Sequence, residues 1–366
     1  MERRAARVTI ADVARAASVS TATVSFVLND RRDGVRISDA TRASVLDAAT
    51  RLGYTPNAAA RALRRSRTTV VTLLIATLRN PFYVDIATAA ERAVAAGGYD
   101  LNIVDSSVPG AKLRALTHLH AGGADGVIVA TGHLTTRGLD YAALASLVQQ
   151  GIPAVLTLDY SPEADIPAVR VDNAESAYLA ARHLVGLGHR RVAFLTLRGT
   201  YPPAERDDAR ADRYRGYRDA LAEVNAPFDP AWLVQGADAS LETGHALMHS
   251  LLALPEPRPT AAVAFNDQMA IGAIRACHEA GVRVPGEMAI VGIGGIEAGA
   301  YAVPALSTVD LPRAELGRLA AETLLGLLDD GQPPPERERV LPASLVVRES
   351  CGGARPRPQE AGGERG

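Results

Sequence analysis

Short apolar runs alternate with longer amphipathic segments over most of the chain after residue 69. The runs are largely apolar and five to seven residues long, which is typical of strands buried on both faces of a parallel sheet. The predicted strands lie at 70–76, 100–104, 126–130, 153–159, 168–172, 191–197, 232–236, 260–266 and 288–294. The predicted helices lie at 82–96, 112–121, 140–150, 174–187, 211–224, 240–252, 268–280 and 313–328. This alternation predicts a doubly wound α/β body in two lobes.

The first 54 residues show three short helical patterns instead. They are predicted at about 11–17, 21–28 and 39–52, with Thr9 and Ser38 as N-caps and Gly53 as the stop of the third helix. Apolar residues that share one face of the first two helices are Val13, Ala14, Val19, Val24 and Leu28. Two short helices joined by a tight turn are typical of a helix-turn-helix, whose second helix enters the major groove of DNA. The pattern alone also fits any small three-helix bundle.

Length and composition indicate a globular protein of two or three domains. The chain has 366 residues, 47% of them hydrophobic, which is enough for a large core. The N-terminus leads into no long apolar run, so we expect no signal peptide, no membrane span and a cytoplasmic location. Cys277 and Cys351 form neither a metal spacing nor a disulfide framework, which suits a reducing compartment.

Charge is distributed unevenly between the two ends of the chain. Residues 1–68 carry 13 arginines against 6 acidic residues, whereas the remainder carries 26 basic against 35 acidic residues. A basic head on an acidic body indicates an anionic partner for the head. A solvated basic arm is the alternative interpretation.

The motifs of common enzyme classes are absent from the sequence. The glycines of GIGGIEAG (292–299) are wrongly spaced for a dinucleotide fingerprint, and there is no Walker loop and no G-x-S-x-G elbow. His118, His120 and His133 fit no metal template. Cys277 and His278 are adjacent on a predicted helix and cannot face each other as nucleophile and base. We therefore expect no enzyme, no cofactor and no metal.

Long motifs in both parts of the chain resemble the lactose-repressor/galactose-repressor (LacI-type) family of bacterial transcriptional regulators. The head carries VTIADVARAASVSTATVSFVLN and VRISDATRASVLDAATRLGYTPNAAARALR. The body carries RNPFYVDI, GLGHRRVAFL, FNDQMAIGAIRACHEAGVRVP, PALSTVDLP and LVVRES, so the resemblance covers about residues 7–350. It implies a small all-α helix-turn-helix head on a two-lobed, doubly wound parallel-sheet body that resembles periplasmic sugar-binding proteins, with a chain that crosses between the lobes three times.

The resemblance also implies domain boundaries. Residues 1–54 would form the DNA-binding domain, 55–68 the hinge helix and linker, and 69–350 the effector-binding and dimerisation domain. Within that domain the N-lobe would take about 69–168 and 311–340, and the C-lobe about 169–310 and 341–350. Residues 351–366 are rich in Gly, Pro and charge, so we expect a disordered tail.

In the second helix, the resemblance assigns Thr21, Ala22 and Phe26 to base reading. The phosphate anchors it implies are Thr9, Ser20, Thr23, Ser25 and Asn29. The family usually has a polar or basic residue, often Arg, where Phe26 stands. Phenylalanine cannot make the bidentate contact to guanine but can pack on a thymine methyl group. We therefore expect an operator whose half-site differs at that position.

Residues 56–65 are a candidate hinge helix. Thr55 can cap it and Pro56 suits its first turn, but about ten residues are too few for a helix to be stable alone in water. The resemblance places two such helices side by side in the minor groove, with Leu63 as an apolar wedge that opens a central base step. Asn57, Arg61 and Arg64 would hold the flanks.

Candidate effector contacts follow the carboxyl ends of the body strands, where ligands of open α/β sheets bind. They are Phe82, Tyr83, Thr131, Glu175, Arg213, Asn266 and Gln268; each could instead be an ordinary loop or cap residue. Arg213 matches the family's effector-gripping arginine. The family typically has an Asp where this chain has Gly294, which disfavours an ordinary sugar unless Glu297 or Asp238 substitutes. A degenerate site without an effector is the further alternative.

Together these features predict a homodimeric, sequence-specific repressor that binds a near-palindromic double-stranded DNA operator and responds to a small molecule, such as a sugar or sugar-like metabolite. The tail lacks leucine heptads, so we expect a dimer rather than a tetramer. Two alternatives remain. One is a periplasmic-type solute-binding protein, which the basic head and the missing signal peptide disfavour. The other is a regulator that has lost DNA binding, with Phe26 as the symptom.

Overall fold

Three short helices form the head, and capping residues set their ends. The structure is a computed structural model and describes residues 8–28, 37–54, 67–132, 141–158, 165–200, 209–332 and 334–353. The helices are α1 (Ile10–Ala16), α2 (Thr21–Leu28) and α3 (Asp39–Leu52), within one residue of the prediction. The Ser38 hydroxyl accepts a hydrogen bond from the Thr41 N–H at 3.2 Å. Gly53, at φ +64°, takes the left-handed conformation that ends α3.

The head has its own small core. Val13 of α1 and Val45 of α3 are fully buried, and α2 contributes Val24 and Val27. Leu28, predicted to be buried, is only half-buried and packs against the edge of this core. Residues 1–68 and residues 69–366 form two separate compact units.

The larger unit contains two sheets of six strands, one in each lobe. The orders are β11-β5-β4-β3-β1-β2 in the N-lobe and β12-β10-β9-β8-β6-β7 in the C-lobe. The N-lobe strands are β1 (Val70–Ile75), β2 (Asp100–Asp105), β3 (Gly126–Ala130), β4 (Ala154–Thr157), β5 (Ala168–Val171) and β11 (Glu338–Leu341). The C-lobe strands are β6 (Val192–Leu197), β7 (Leu233–Gly236), β8 (Ala261–Ala264), β9 (Ala289–Gly294), β10 (Ser307–Asp310) and β12 (Ser344–Val346). Only the β10–β12 pair is antiparallel among the described strands, which confirms the doubly wound fold.

Helices cover both faces of each sheet. Successive β1 residues Leu73 and Leu74 point to opposite faces and are both fully buried, as expected of a doubly covered parallel strand. The N-lobe helices are α4 (Pro81–Ala96), α5 (Ala111–His120), α6 (Tyr141–Gln149) and α11 (Arg313–Asp330). The C-lobe helices are α7 (Asn173–Gly186), α8 (Ala209–Glu223), α9 (Leu241–Leu252) and α10 (Asp267–Glu279). Short 3-10 turns lie at Pro230–Trp232 and Glu297–Tyr301. None of the helices in the described ranges is long and apolar enough to cross a membrane.

Two predicted boundaries are wrong. The prediction began the C-lobe at residue 169, but β5 pairs with β4 and β11 and therefore belongs to the N-lobe sheet. The sequence AVRV is typical of a buried strand in either lobe. Only the strands with which it pairs show to which lobe it belongs. The predicted tail began at Cys351, yet this residue is only 2% exposed. Its Sγ accepts a hydrogen bond from the Ser307 hydroxyl at 3.1 Å. Residues 354–366 lie outside the described residues.

The lobes are joined by short crossings. The described chain passes from one sheet to the other between β5 and α7, between β10 and α11, and between β11 and β12. Because all three crossings fall at strand ends, the carboxyl ends of several parallel strands lie near the junction of the lobes. This position of a ligand site is the one the fold class favours.

Candidate nucleic-acid interface and ligand cleft

The turn between α1 and α2 is tight and is fixed by Ser18 and Ser20. Ser18 has φ +54°, a left-handed conformation that a non-glycine residue adopts at a small cost. The Ser20 hydroxyl accepts a hydrogen bond from the Thr23 N–H at 3.0 Å and so caps the first turn of α2. The turn therefore sets the direction of α2 relative to α1.

The predicted DNA-contacting residues of α2 lie away from the core of the head. Ser20, Thr21 and Ala22 are exposed. Thr23, Ser25 and Phe26 are partly exposed. Because Val24 and Val27 fill the core from the opposite face, α2 presents hydroxyl groups and one aromatic ring to solvent. These are groups that can contact phosphates and base edges.

Thr9 is engaged in a local cap, although the resemblance assigns it to phosphate. Its hydroxyl donates to Asp12 Oδ2 at 2.7 Å, and its N–H donates to the same oxygen at 2.9 Å. Arg15 contacts the other carboxylate oxygen at 3.0 Å. The hydrogen bonds from Thr9 hold the pKa of Asp12 below its usual value. Thr9 therefore has to give up this bond before its hydroxyl can donate to a phosphate.

Several predicted DNA contacts lie outside the described residues. They are Asn29, Asn57, Arg61, Leu63 and Arg64, together with the candidate hinge helix 56–65.

On the N-lobe side of the junction, the start of α4 presents two aromatic rings. The side-chain oxygen Oδ1 of Asn80 accepts a hydrogen bond from the Phe82 N–H at 3.0 Å and caps the helix. Phe82 is 8% exposed. Its ring packs edge-on against Tyr83, with centroids 5.3 Å apart and planes at 87°. This arrangement gives the N-lobe wall a rigid aromatic corner.

On the C-lobe side, Arg213 of α8 is held in a buried position. It is 8% exposed, and its Nε donates to Asn173 Oδ1 at 3.0 Å. Its Nη1 donates to the Phe265 carbonyl oxygen, and the guanidinium lies 4.4 Å from the centroid of the Phe265 ring. Burial lowers the pKa of Arg213 to about 10, so the group remains a cation at neutral pH. A fixed, buried guanidinium is suited to a ligand that carries hydrogen-bond acceptors.

Asn266 and Gln268 occupy the start of α10. Asn266 caps the helix: its Oδ1 accepts from the Met269 N–H and its Nδ2 donates to the Ala239 carbonyl oxygen, both at 2.9 Å. Both ends of this amide are thus used within the protein. Gln268 instead reaches the other lobe, where its Nε2 donates to the Arg79 carbonyl oxygen at 3.0 Å.

The remaining two candidates differ in burial. Thr131 follows β3 and is 2% exposed, and its hydroxyl has no hydrogen-bond partner among the described residues. Glu175 is exposed in the first turn of α7, where its N–H donates to the cap residue Asp172 at 2.9 Å. Asn173, at the start of the same helix, was not among the residues predicted from the sequence, yet its Oδ1 accepts the hydrogen bond from Arg213. The sequence signal for such a residue is an amide side chain directly after a strand, as in VDN (171–173).

Asp267 is a second residue that the sequence missed. It is 1% exposed, and its carboxylate accepts from the Thr308 hydroxyl at 2.5 Å and from the Ile296 N–H at 2.8 Å. Burial raises the pKa of Asp267 to about 6. A Cβ on Gly292 would lie 2.3 Å from Asp267 Oδ1, so this carboxylate sits directly beneath the end of β9.

Gly294 ends β9 at the position where the resemblance expects an aspartate. Its φ is +139°, and a Cβ there would lie 3.4 Å from Asp267 Oδ2 and 3.7 Å from the Phe82 ring. A side chain at this position is therefore strained by the backbone conformation. Two carboxylates lie beside this strand end. Asp267 accepts hydrogen bonds from the Thr308 hydroxyl and the Ile296 N–H, and Asp310 pairs with Arg313.

Arg313, at the start of α11, ties the lobes together. Its Nε contacts Asp85 of α4 in the N-lobe at 2.9 Å. Its Nη1 contacts Asp310 of β10 in the C-lobe at 2.7 Å and also donates to the Gly294 carbonyl oxygen. Arg313 and Gln268 thus both make polar contacts between the two lobes, and the Arg313 contact lies beside Gly294.

Comparisons with known proteins agree with this architecture. The model for "Bacterial regulatory proteins, lacI family" matches residues 9–57, and that for "Periplasmic binding protein-like domain" matches residues 181–351. The HTH-type transcriptional repressor PurR of Mannheimia succiniciproducens is 33% identical over 93% of this chain and 98% of its own length. The HTH-type transcriptional regulator DegA of Bacillus subtilis is 33% identical over 94% of this chain and 98% of its own. The Ribose operon repressor of Haemophilus influenzae is 32% identical over 93% of this chain and 98% of its own length.

Solved structures give the same result. A Lac repressor dimer bound to operator and the anti-inducer ONPF has a TM-score of 0.77 at 26% identity, over 94% of this chain and 99% of that chain. A complex of the transcriptional regulator CelR with cellobiose has a TM-score of 0.67 at 28% identity, over 94% of this chain and 100% of that chain. The relatives and structures cited here are named as regulators or repressors, not as enzymes. The chain belongs to the LacI family of DNA-binding transcriptional regulators.

Proposed function

We propose that this chain is a repressor that binds a near-palindromic DNA operator as a homodimer and is controlled by a small molecule in the cleft between its lobes. The observation that carries the proposal is the structure of α2. Its apolar residues Val24 and Val27 fill the core of the head, and its opposite face, which includes the exposed Thr21 and Ala22, is left for DNA. Two copies of this helix would read the two halves of a palindrome.

Selection from randomised duplexes by the purified full-length protein tests this proposal. We expect enrichment of a near-palindrome with a flexible pyrimidine–purine step at its centre, where two hinge helices would insert their wedges. Absence of any enriched sequence, from protein shown to be folded and dimeric, would favour a regulator that has lost DNA binding. The same result would be expected of a solute-binding protein.

The cleft supports a polar effector that carries hydrogen-bond acceptors. Arg213 supplies a buried cation and Phe82 supplies an apolar wall from the other lobe. Gly294 supplies no carboxylate of its own at the end of β9, and the neighbouring carboxylates of Asp267 and Asp310 are already bonded to protein groups, which disfavours the usual grip on sugar hydroxyls. Closure of the lobes on such a ligand would rotate one lobe against the other and change the geometry of the dimer.

Thermal-shift screening of metabolites against the full-length protein tests the effector site, since a ligand that binds only the folded state raises its melting temperature. Carbohydrates come first, because a structural neighbour holds cellobiose and a relative is a ribose operon repressor. We expect Arg213→Ala to abolish the shift given by any hit. Arg215→Ala is the matched control, because Arg215 lies on the same helix and pairs with Asp212 at the surface. A hit that shifts the Arg213→Ala variant as much as the wild type would place its site elsewhere.

A further inference from the structure

Three side chains on the outer surface of the C-lobe bring metal-binding atoms together. His245 Nε2 lies 2.7 Å from Glu279 Oε2, and His249 Nε2 lies 3.5 Å from the same oxygen. The two imidazole rings have centroids 4.6 Å apart. One ligand atom from each residue lies within 4.8 Å of the other two.

The backbone holds these residues in place. His245 and His249 are four apart on α9 and therefore share one face of the helix. Glu279 is the last residue of α10, which packs closely against α9. A Cβ on Gly244 would lie 2.2 Å from the Met269 carbonyl oxygen, and one on Gly272 would lie 2.0 Å from the Leu241 carbonyl oxygen. The two helices thus contact each other through their backbones, which fixes the separation of the histidine pair and the glutamate.

The donor set fits a zinc-class ion. Zn–N and Zn–O bonds of about 2.0–2.2 Å in tetrahedral geometry place neighbouring ligand atoms roughly 3.3 Å apart. The 3.5 Å between His249 Nε2 and Glu279 Oε2 is close to this separation. The 2.7 Å between His245 Nε2 and Glu279 Oε2 has to increase by about 0.6 Å. Arg275 Nε contacts the other carboxylate oxygen, Oε1, at 2.7 Å, which orients the carboxylate and leaves Oε2 for the ion.

Charge and access also favour a cation at this place. Glu279 is the acidic residue of the cluster, and its carboxylate contacts His245 and Arg275, both at 2.7 Å. The side chains of His245, His249 and Glu279 are 36%, 44% and 37% exposed, which gives an ion a path from solvent. The neighbouring Arg275 is the one opposing charge identified among the described contacts of Glu279, and its effect is reduced by its own exposure of 65%.

We propose that His245, His249 and Glu279 form a binding site for one divalent zinc-class ion, with water in the fourth position. The ion ties α9 to α10, the two helices whose first turns, capped by Ser240 and Asn266, lie toward the cleft. Imidazole with carboxylate selects zinc and its neighbours over calcium and magnesium. The prediction of no metal rested on His118, His120 and His133, which lie elsewhere in the chain. The sequence signal for the proposed site is the i, i+4 histidine pair in HALMH (245–249).

Zinc titration of the untagged full-length protein, followed by calorimetry and by competition with a chromogenic chelator, tests the proposal. We expect one ion per chain and a melting temperature that rises with zinc. In His245→Gln and His249→Gln the affinity should fall by more than the roughly 10–100-fold that loss of a second-shell partner costs a metal site. His278→Gln is the matched control, because His278 is an exposed histidine on α10 outside the cluster.

The outcomes separate clearly. Stoichiometric binding that is retained in His278→Gln and lost in both cluster variants, with unchanged circular dichroism, supports the site. Absence of binding by the wild type at micromolar zinc overturns it. Binding by the cluster variants that equals the wild type also overturns it, since the zinc would then lie on other residues. Replacing zinc by Co²⁺ adds an independent readout, because tetrahedral coordination gives an intense visible absorption that the cluster variants should lack.

Discussion

At the scale of single residues, Phe26 is the feature of the DNA-reading helix that separates this chain from its family. It is partly exposed on the face of α2 that carries Thr21 and Ala22. A phenyl ring reads a thymine methyl group and offers no donor to guanine. We therefore expect the operator preference at this half-site position to depend on the Phe26 side chain.

Replacing Phe26 with arginine should change that preference. We expect Phe26→Arg to enrich guanine at the corresponding half-site position, because a bidentate arginine contact discriminates by about 1–3 kcal/mol. Selection of randomised duplexes by the variant measures this directly. Leu46→Arg, which adds the same charge at an exposed position of α3, should leave the selected sequence unchanged. If both variants change the preference alike, or neither does, Phe26 does not read the base.

Asp267 makes a pH-dependent contribution to stability. Its carboxyl pKa is raised from 3.8 to about 6 by burial in the folded protein, so between these values the folded state binds more protons than the unfolded state. The free energy of unfolding should therefore decrease as pH rises through this window and level off above it. Asp267→Asn does not titrate, so the stability of the wild type relative to this variant should be smaller at pH 7.5 than at pH 5.

Urea denaturation followed by the fluorescence of Trp232 measures this difference. Trp232 is the single tryptophan of the chain and is 7% exposed in the C-lobe, so it reports on the lobe that contains Asp267. A wild-type advantage that stays constant or grows with pH would contradict the raised pKa.

At the scale of elements, the close contact of α9 and α10 depends on glycine. Gly272→Ala would place a Cβ 2.0 Å from the Leu241 carbonyl oxygen, so the helices have to separate. We expect a loss of about 1–3 kcal/mol in the free energy of unfolding, the usual cost of overpacking. Gly326→Ala in α11 is the control: its Cβ meets nothing within 4 Å, and the change should stabilise the helix by up to about 1 kcal/mol. Equal changes in the free energy of unfolding for the two substitutions would show that helix propensity, and not the close contact of α9 with α10, determines the effect.

The elements themselves were largely predictable from the sequence. Each helix of the head has a local cap, as with Ser38 and Gly53 on α3, and most buried strands of the body are short apolar runs. The exception is β10, whose sequence STVD is buried but largely polar, and which was not predicted. What local patterns do not encode is pairing at long range. The strand β11 pairs with β5 across 170 residues of sequence, as in Glu338 opposite Ala168. Its burial pattern is mixed, with Arg339 and Val340 exposed. This is why β11 was not predicted as a strand and why β5 was placed in the wrong lobe.

The candidate site was predictable only in part. A match to family motifs located Arg213, which the structure places at the junction of the lobes. Asn266 follows a strand end as the motif requires, but its amide is used as a helix cap. Asp267 was missed because a carboxylate that is 1% exposed is unusual, and its partners Thr308 and Ile296 lie far away in sequence. The sequence pattern alone cannot show which polar group at a strand end faces a ligand.

At the scale of the whole molecule, we expect residues 55–68 to connect the DNA-binding head to a body that binds the effector. Leu63 lies outside the described residues and remains a predicted minor-groove wedge. Leu63→Ala should weaken binding to the operator far more than binding to unrelated DNA, because the main term in nonspecific binding is phosphate charge. Fluorescence anisotropy on both duplexes at one salt concentration measures the two losses. Equal losses would contradict the wedge role.

The most direct test of the central proposal is the affinity of the wild-type chain for its selected near-palindrome, compared with a scrambled duplex of the same base composition at physiological salt. The account predicts that the operator binds at least about 10³-fold more tightly, the lower end of the range for specific DNA-binding proteins. Equal affinities for the two duplexes, from folded and dimeric protein, would contradict sequence-specific DNA recognition by this head.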